Sequence, residues 1–147
     1  MQNYDLKYAA RIDKDDDGYN VSFIDFDNIF TCGDTWQEAV ENAQEALELM
    51  LEHFLETGEH IPESTSADDS CVMIPVGIDV AAPILLKRFR EQAGKTQKDV
   101  ANAMGVQYQQ YQRLEKPGTN ITLKTLRKAT SAVGGIASIT FLKQSNT

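Results

Sequence analysis

The chain has 147 residues, a hydrophobic fraction of 41% and a formal net charge of −8, which suits one folded soluble domain or two small ones. It shows no signal peptide and no twenty-residue apolar run, so the sequence predicts a cytoplasmic protein with no membrane partner. The overall charge argues against nucleic acid, but residues 1–70 carry three Lys and Arg against eighteen Asp and Glu, net −15, whereas residues 71–147 carry eleven against four, net +7. An acidic half joined to a basic half predicts two electrostatic objects with two partners. The plainer alternative is that the acidic charge serves only solubility.

Tyr4 to Ile12 alternates, with Tyr4, Leu6, Tyr8, Ala10 and Ile12 on one face and Asp5, Lys7 and Arg11 on the other, the pattern of a half-buried strand. Asp15-Asp16-Asp17-Gly18 is turn chemistry, and Tyr19 to Phe26 completes a hairpin. The three aspartates lack the later ligands and the bidentate glutamate of a calcium loop. Ile29 to Cys32 is a short third strand. Thr35 and Glu38 have capping-box spacing before a helix from Trp36 to Thr57, which Gly58 ends. Its expected apolar face is Trp36, Val40, Ala43, Leu47, Met50 and Phe54; Glu41, Glu45, Glu48, Glu52 and Glu56 form a solvated ridge.

Residues 62–70 are rich in Ser, Thr and Asp and predict an exposed connection. Cys71 to Val76 is the fourth strand, and residues 77–82 are expected to hinge the two halves. Cys32 and Cys71 lack metal-ligand spacing and are expected as buried reduced thiols. His53 and His60 have no companions that would make a metal site or a triad.

The basic half predicts four helices between Pro83 and Val133. Pro83 suits a first turn, with Ile84, Leu85, Phe89 and Ala93 inward before Gly94. Thr96 and Asp99 have near-capping-box spacing ahead of Val100, Ala101 and Met104, and Gly105 supplies a left-handed turn. A helix opening near Gln107 turns Tyr111 and Leu114 inward and leaves Tyr108, Gln109, Gln112 and Arg113 outside. Two short helices meeting at a glycine, the second with an amide-rich outer face, describe a helix-turn-helix that reads DNA. The alternative for those polar side chains is a merely solvated helix face. Thr122 caps a last helix with Leu123, Leu126, Ala129 and Val133 inward, closed by Gly134-Gly135. Ile136 to Leu142 is β-branched and aromatic, a short strand expected to pair with its copy in a second subunit.

Thr96-Gln97, Ala101, Gly105, Val106, Leu114-Glu115 and Pro117-Gly118 resemble the Xre/lambda-repressor-like helix-turn-helix family in order and spacing. The resemblance implies a phosphate contact at Gln97 and base-edge contacts at Tyr108, Gln109, Gln112 and Arg113. Gln107, a further DNA-contact candidate, stands where that family often has Ser or Thr.

In the acidic half, Gly18-Tyr19, Val21, Phe23, Asp25, Thr31, Gly33, Thr35, Glu38-Ala39, Asn42-Ala43 and Glu45-Ala46-Leu47 resemble the HicB antitoxin family. Asp27 stands where that family usually has Pro. The resemblance implies an α+β protein. A β-β-β-α-β, partial RNase H-like domain (residues 1–76) binds a HicA-like toxin, a small basic RNA-cleaving protein. A hinge (77–82) leads to an all-α helix-turn-helix domain (83–147) that dimerises, carries a short C-terminal strand and represses the operon. Tyr19, Phe23, Asp25 and Phe26 are the candidate toxin contacts. No catalytic residue, metal ligand or cofactor is expected, and the assembly is expected to be a homodimer or larger. Two other readings remain: a nuclease using Asp25 and Asp27, for which no further converging acids are evident, and a repressor whose acidic half senses a small molecule.

Overall fold

The computed structural model describes residues 1–65 and 68–144. Four antiparallel strands form one sheet: β1 (Lys7–Asp15), β2 (Gly18–Phe23), β3 (Phe30–Gly33) and β4 (Val72–Pro75), in the order β3-β2-β1-β4. The β1–β2 hairpin closes with Asp15 opposite Gly18, and the Asp15 carboxylate accepts from the Asp17 backbone N–H at 2.8 Å and from the Asn20 amide. Those bonds hold its pKa below the ordinary carboxylate range and consume the oxygens a cation would use.

The long helix α1 (Trp36–Thr57) covers one face of the sheet. Thr35 Oγ1 accepts from the Glu38 N–H at 3.1 Å, and Gly58 at φ 77° ends the helix. Gly33 fixes how closely α1 begins against β3: a Cβ there would stand 2.4 Å from the Ala39 backbone N. The buried line is Ala39, Ala43, Leu47, Leu51 and Leu55, rotated from the expected stripe. Val40, Met50 and Phe54 flank it, and Trp36 lies at the margin against Tyr19, ring centroids 5.9 Å apart. A helix crossing a twisted sheet follows the i, i+4 ridge, which leaves the alternating four-three spacing on the shoulder.

The uncovered face of the sheet holds Phe30, exposed at 73%, together with Ile24, Arg11 and Cys32. Cys32 is therefore exposed and Cys71 half-buried, contrary to the expectation of buried thiols. An apolar strand context says nothing of which face is covered.

The largest departure from the sequence reading lies at residues 77–82. The stretch expected to be a hinge is the opening of helix α2 (Ile78–Gln92), so Pro83 lies inside a helix and not in its first turn. A proline there forfeits one backbone bond. Here Val80, Ala81, Ala82, Pro83 and Ile84 are all buried, and that burial outweighs the lost bond. The N-terminus of α2 has no side-chain cap of its own. Instead Glu48, from α1, accepts the Gly77 N–H at 3.2 Å. Glu48 thus leaves the solvated ridge on which the sequence placed it.

Three shorter helices complete the chain: α3 (Gln97–Met104), α4 (Tyr108–Leu114) and α5 (Leu123–Ala132). They bury Val100, Ala101, Met104, Tyr111, Leu114, Ala129 and Val133 around Leu86 of α2, with Phe89 and Leu126 packed alongside. Ala93 and Leu123, expected inward, are exposed; Ile84 serves the sheet core instead. Among the described residues no strand follows β4. Ile136 to Leu142 runs without strand pairing in the single chain, so the short C-terminal strand is not formed there.

Burial raises the Glu48 pKa above the ordinary range, with Asp79, Glu52 and Glu45 nearby adding to the rise. A carboxyl whose folded-state value is raised is penalised when charged, so its cost is present above that raised value and relieved as pH falls below it. Replacing Glu48 by Gln should therefore hold or raise the melting temperature at pH 7 and flatten the gain expected of the unaltered chain as pH falls through the raised value towards the ordinary glutamate range. Replacing it by Ala should cost about 1 kcal/mol in denaturant titrations, through the orphaned Gly77 N–H.

Candidate nucleic-acid interface

Thr96 begins the site. Its Oγ1 accepts from the Asp99 N–H at 3.1 Å while its own N–H donates to Asp99 Oδ2 at 2.9 Å, a complete capping box. Asp99 consequently has a lowered pKa. At the other end of α3, Gly105 at φ 70° sends the Val106 N–H back to the Ala101 carbonyl at 3.0 Å. That turn sets α4 across α3, with Tyr111 and Leu114 buried beneath it.

The outward positions of α4 are those the sequence placed there: Gln109 and Arg113 are exposed, and Tyr108 and Gln112 half-buried. Gln107 is exposed ahead of the helix, and its N–H donates to Gln110 Oε1 at 3.1 Å. Lys98 Nζ stands 5.6 Å from the centre of the Tyr108 ring, a cation–π contact. A shallow groove lined by Lys95, Thr96, Gln97, Lys98 and Tyr108 opens where α3 begins.

Gln97 is not a free side chain. Its Nε2 donates to Glu115 Oε1 at 3.1 Å, and its Oε1 accepts from Tyr108 Oη at 3.3 Å. Gln112 Nε2 in turn reaches Tyr108 Oη at 3.5 Å. Glu115 is anchored by Arg90 of α2, whose Nε and Nη2 donate to its two carboxylate oxygens at 2.7 and 3.0 Å. Arg90 Nη1 also donates to the Lys95 carbonyl at 2.9 Å. The two side chains are only 13% and 4% exposed, and the paired carboxylate raises the Arg90 pKa. Bidentate geometry lets such a buried pair recover its desolvation cost. The chain Arg90–Glu115–Gln97–Tyr108–Gln112 therefore orders the outer face of the helix-turn-helix from within. Neither Arg90 nor Lys98 was singled out from the sequence. Glu115 stood in the motif with no role assigned.

Of the four candidate contacts in the acidic half, the structure keeps two at the surface. Phe23 and Phe26 are buried core residues, ring centroids 6.4 Å apart, and are withdrawn as contacts. The sequence could not separate an inward aromatic from an outward one at the strand end. Tyr19 is half-buried beside Trp36. Asp25 accepts from the Thr65 N–H at 3.1 Å and from its hydroxyl at 2.8 Å, tying residues 61–65 to the end of β2. Residues 66 and 67 of the expected connection lie outside the described residues. Among the described residues no three His, Cys, Asp or Glu side chains gather as a metal site. No helix among them is long and apolar enough to cross a membrane.

The fold and site define an α+β protein with a helix-turn-helix. Residues 8–75 match a family described as HicB_like antitoxin of bacterial toxin-antitoxin system, and residues 86–135 match a helix-turn-helix family. Antitoxin HicB 1 of Photorhabdus laumondii is 32% identical over 130 residues, 88% of this chain and 83% of the relative. Antitoxin HicB 2 of the same organism is 28% identical over 88% of this chain and 91% of that one. Antitoxin HicB of Escherichia coli K12 is 31% identical over 80% and 85%. The crystal structure of the Burkholderia pseudomallei antitoxin HicB overlaps 52% of this chain and 65% of its own, with TM-score 0.43 and 23% identity. The chain belongs to the HicB antitoxin family, in the form that carries a helix-turn-helix. The relatives named here are antitoxins.

Two substitutions separate the parts of the buried network. Glu115→Ala strands the Arg90 guanidinium and should cost about 3–5 kcal/mol in chemical denaturation. Tyr111 Oη is buried with no hydrogen-bond partner among the described residues, and burial, with the Glu115 carboxylate nearby, lifts its pKa above the ordinary phenol range. Tyr111→Phe removes that orphan, so it should be neutral or stabilise by about 1 kcal/mol in the same titration.

Proposed function

We propose that this chain is the antitoxin of a type II toxin–antitoxin pair. In this reading it neutralises a HicA-like ribonuclease through its acidic half and represses its own operon, in the cytoplasm, through the helix-turn-helix. The observation that carries the reading is the separation of charge along the chain, −15 over residues 1–70 and +7 over residues 71–147. A cationic RNA-binding protein is drawn to the first and a phosphate backbone to the second.

On the DNA side, Lys95 and Lys98 beside Gln97 form a seat for a phosphate. Gln97 Nε2 keeps one N–H beyond the bond to Glu115, and that N–H is the phosphate donor. Tyr108, Gln109, Gln112 and Arg113 face the base edges, and Gln107 lies beside the backbone. On the toxin side, exposed Glu41, Glu45 and Glu56 on α1 steer the encounter, with Tyr19 and Asp25 at the neighbouring sheet end. Two copies bind an inverted repeat whose half-sites lie about 34 Å apart.

Arg113→Ala should weaken operator binding by about 1–3 kcal/mol in a gel-shift titration and relax preference at one base pair, provided the fold is intact by circular dichroism. Reversing Glu41, Glu45 and Glu56 to Lys should slow capture of a HicA-like toxin by about ten-fold or more in stopped flow. The same variant should shift operator DNA as the unaltered chain does. Loss of operator binding in that folded variant would overturn the division of labour.

A further inference from the structure

The helix α5 breaks two rules of helix electrostatics. Its first turn holds Lys124 and no acid, so a cation stands against the positive end of the macrodipole. Lys124, Arg127 and Lys128 then occupy positions i, i+3 and i+4, which stacks three like charges on one face. No Asp or Glu occurs in α5 to offset them. All three are exposed, and among the described residues none of them forms an ion pair. Asp99, one turn before Ala103 on the neighbouring α3, is already engaged with the Thr96 N–H. A helix that accepts this repulsion without local compensation answers to something other than its own stability.

The three cations line a groove with Ser131 of the same helix face, and Ala103 of α3 and Ala132 supply its small side chains. This groove meets the one at the start of α3. Lys95, which lines the first, donates from Nζ at 3.1 Å to the carbonyl of Ala132, which lines the second. Lys98, Lys95, Lys128, Arg127 and Lys124 therefore form one cationic track, running from the phosphate seat described above along α5. The lining selects the partner. Two alanines let a backbone approach closely, and a hydroxyl with three cations is a donor set for phosphate oxygens. No aromatic side chain lines the groove to anchor a protein surface, where such anchors carry most of the affinity.

We propose that α5 is a second DNA contact, a sequence-independent track that holds the phosphate backbone of the duplex beyond the stretch faced by α4. The placement of that duplex rests on the operator-binding reading above; the affinity of the track for a DNA backbone does not. Each phosphate neutralised releases counterions, so three cations steepen the salt dependence of binding by up to three phosphates. A groove that meets backbone and no base edge raises affinity for every sequence alike and leaves discrimination to α4.

The test uses the full chain and a random-sequence DNA duplex of about three helical turns, followed by fluorescence anisotropy. Lys124→Gln, Arg127→Gln and Lys128→Gln together should weaken binding by about ten-fold or more and lower the slope of log K against log salt by about two to three. The melting temperature of that variant should hold or rise, because repulsion along α5 is relieved, so lost binding is not lost fold. A control with the same change in net charge, Lys7→Gln, Arg11→Gln and Lys14→Gln on β1, should bind DNA as the unaltered chain does. An α5 variant with unchanged affinity and salt slope overturns the proposal. A loss matched by the β1 control overturns it as well, since the effect is then one of net charge. Arg113→Ala, measured beside them on operator and random duplexes, separates the two readings. If it loses operator preference while the α5 variant binds like the unaltered chain, the track falls and the helix-turn-helix reading stands. If the unaltered chain holds operator no better than random DNA and the α5 variant loses both, the operator reading falls and the track stands.

Discussion

Between Ala81 and Phe89 the chain changes cores without leaving its helix. Val80, Ala81 and Ile84 pack beneath the sheet with α1, while Leu86 and Phe89 enter the cluster formed by α3, α4 and α5. Everything else about the relation of the two halves depends on that shared helix. Around it lie further ties that no flexible linker would make. Arg88 Nη2 donates to the Ile61 and Pro62 carbonyls at 3.1 and 3.3 Å, Tyr8 Oη donates to the same Pro62 carbonyl at 2.7 Å, and Tyr4 meets Phe89 edge-on at 4.8 Å. Burial keeps the Tyr8 phenol protonated and its donor role intact. The stability of each half is consequently coupled to packing in the other through a handful of named side chains.

The same helix carries Arg90, and through it the sheet half is tied to the outer face of the helix-turn-helix. Arg90 lies a turn and a half beyond Ile84, which is sealed in the sheet core, and it holds Glu115, which holds Gln97, which holds Tyr108. A polar side chain on an exposed helix samples several rotamers, and each one fixed on binding costs affinity. Here the fixing is done during folding by a bidentate ion pair that water scarcely reaches. Gln109 and Arg113 are exposed on the outer face of α4 and lie outside that network.

Much of this was legible in the residues. The hairpin, the limits of α1 and the α3–turn–α4 unit were all marked by local chemistry: the Asp-Gly turn, the Thr35 cap with Gly58, and Thr96 with Gly105. What escaped the sequence was decided by tertiary burial. Pro83 reads as a helix start because its ring forbids one backbone bond, yet five buried neighbours carry the helix through it. Phe23 and Phe26 read as surface candidates because a strand end gives no account of which face α1 will cover. The stripe on α1 was misplaced by part of a turn for a related reason: periodicity reports that a helix has an apolar side, whereas the crossing angle chooses the line along it. Within the candidate site, the outer face of α4 was readable from spacing. Arg90 was not, since a cation twenty-five residues from its partner leaves no local trace.

Charge segregation and the shared helix constrain each other. Had the halves been joined by a flexible tether, the acidic sheet domain could swing towards the cationic groove at Lys95 and Lys98 and compete there with a phosphate backbone. Opposite charges within one Debye length, about 8 Å at physiological ionic strength, attract appreciably even in water. A helix that is embedded in both cores removes that option, because Val80 and Leu86 cannot both stay buried if the halves reorient freely. The rigidity that forbids self-neutralisation also fixes where a protein bound to α1 stands relative to anything bound along α4.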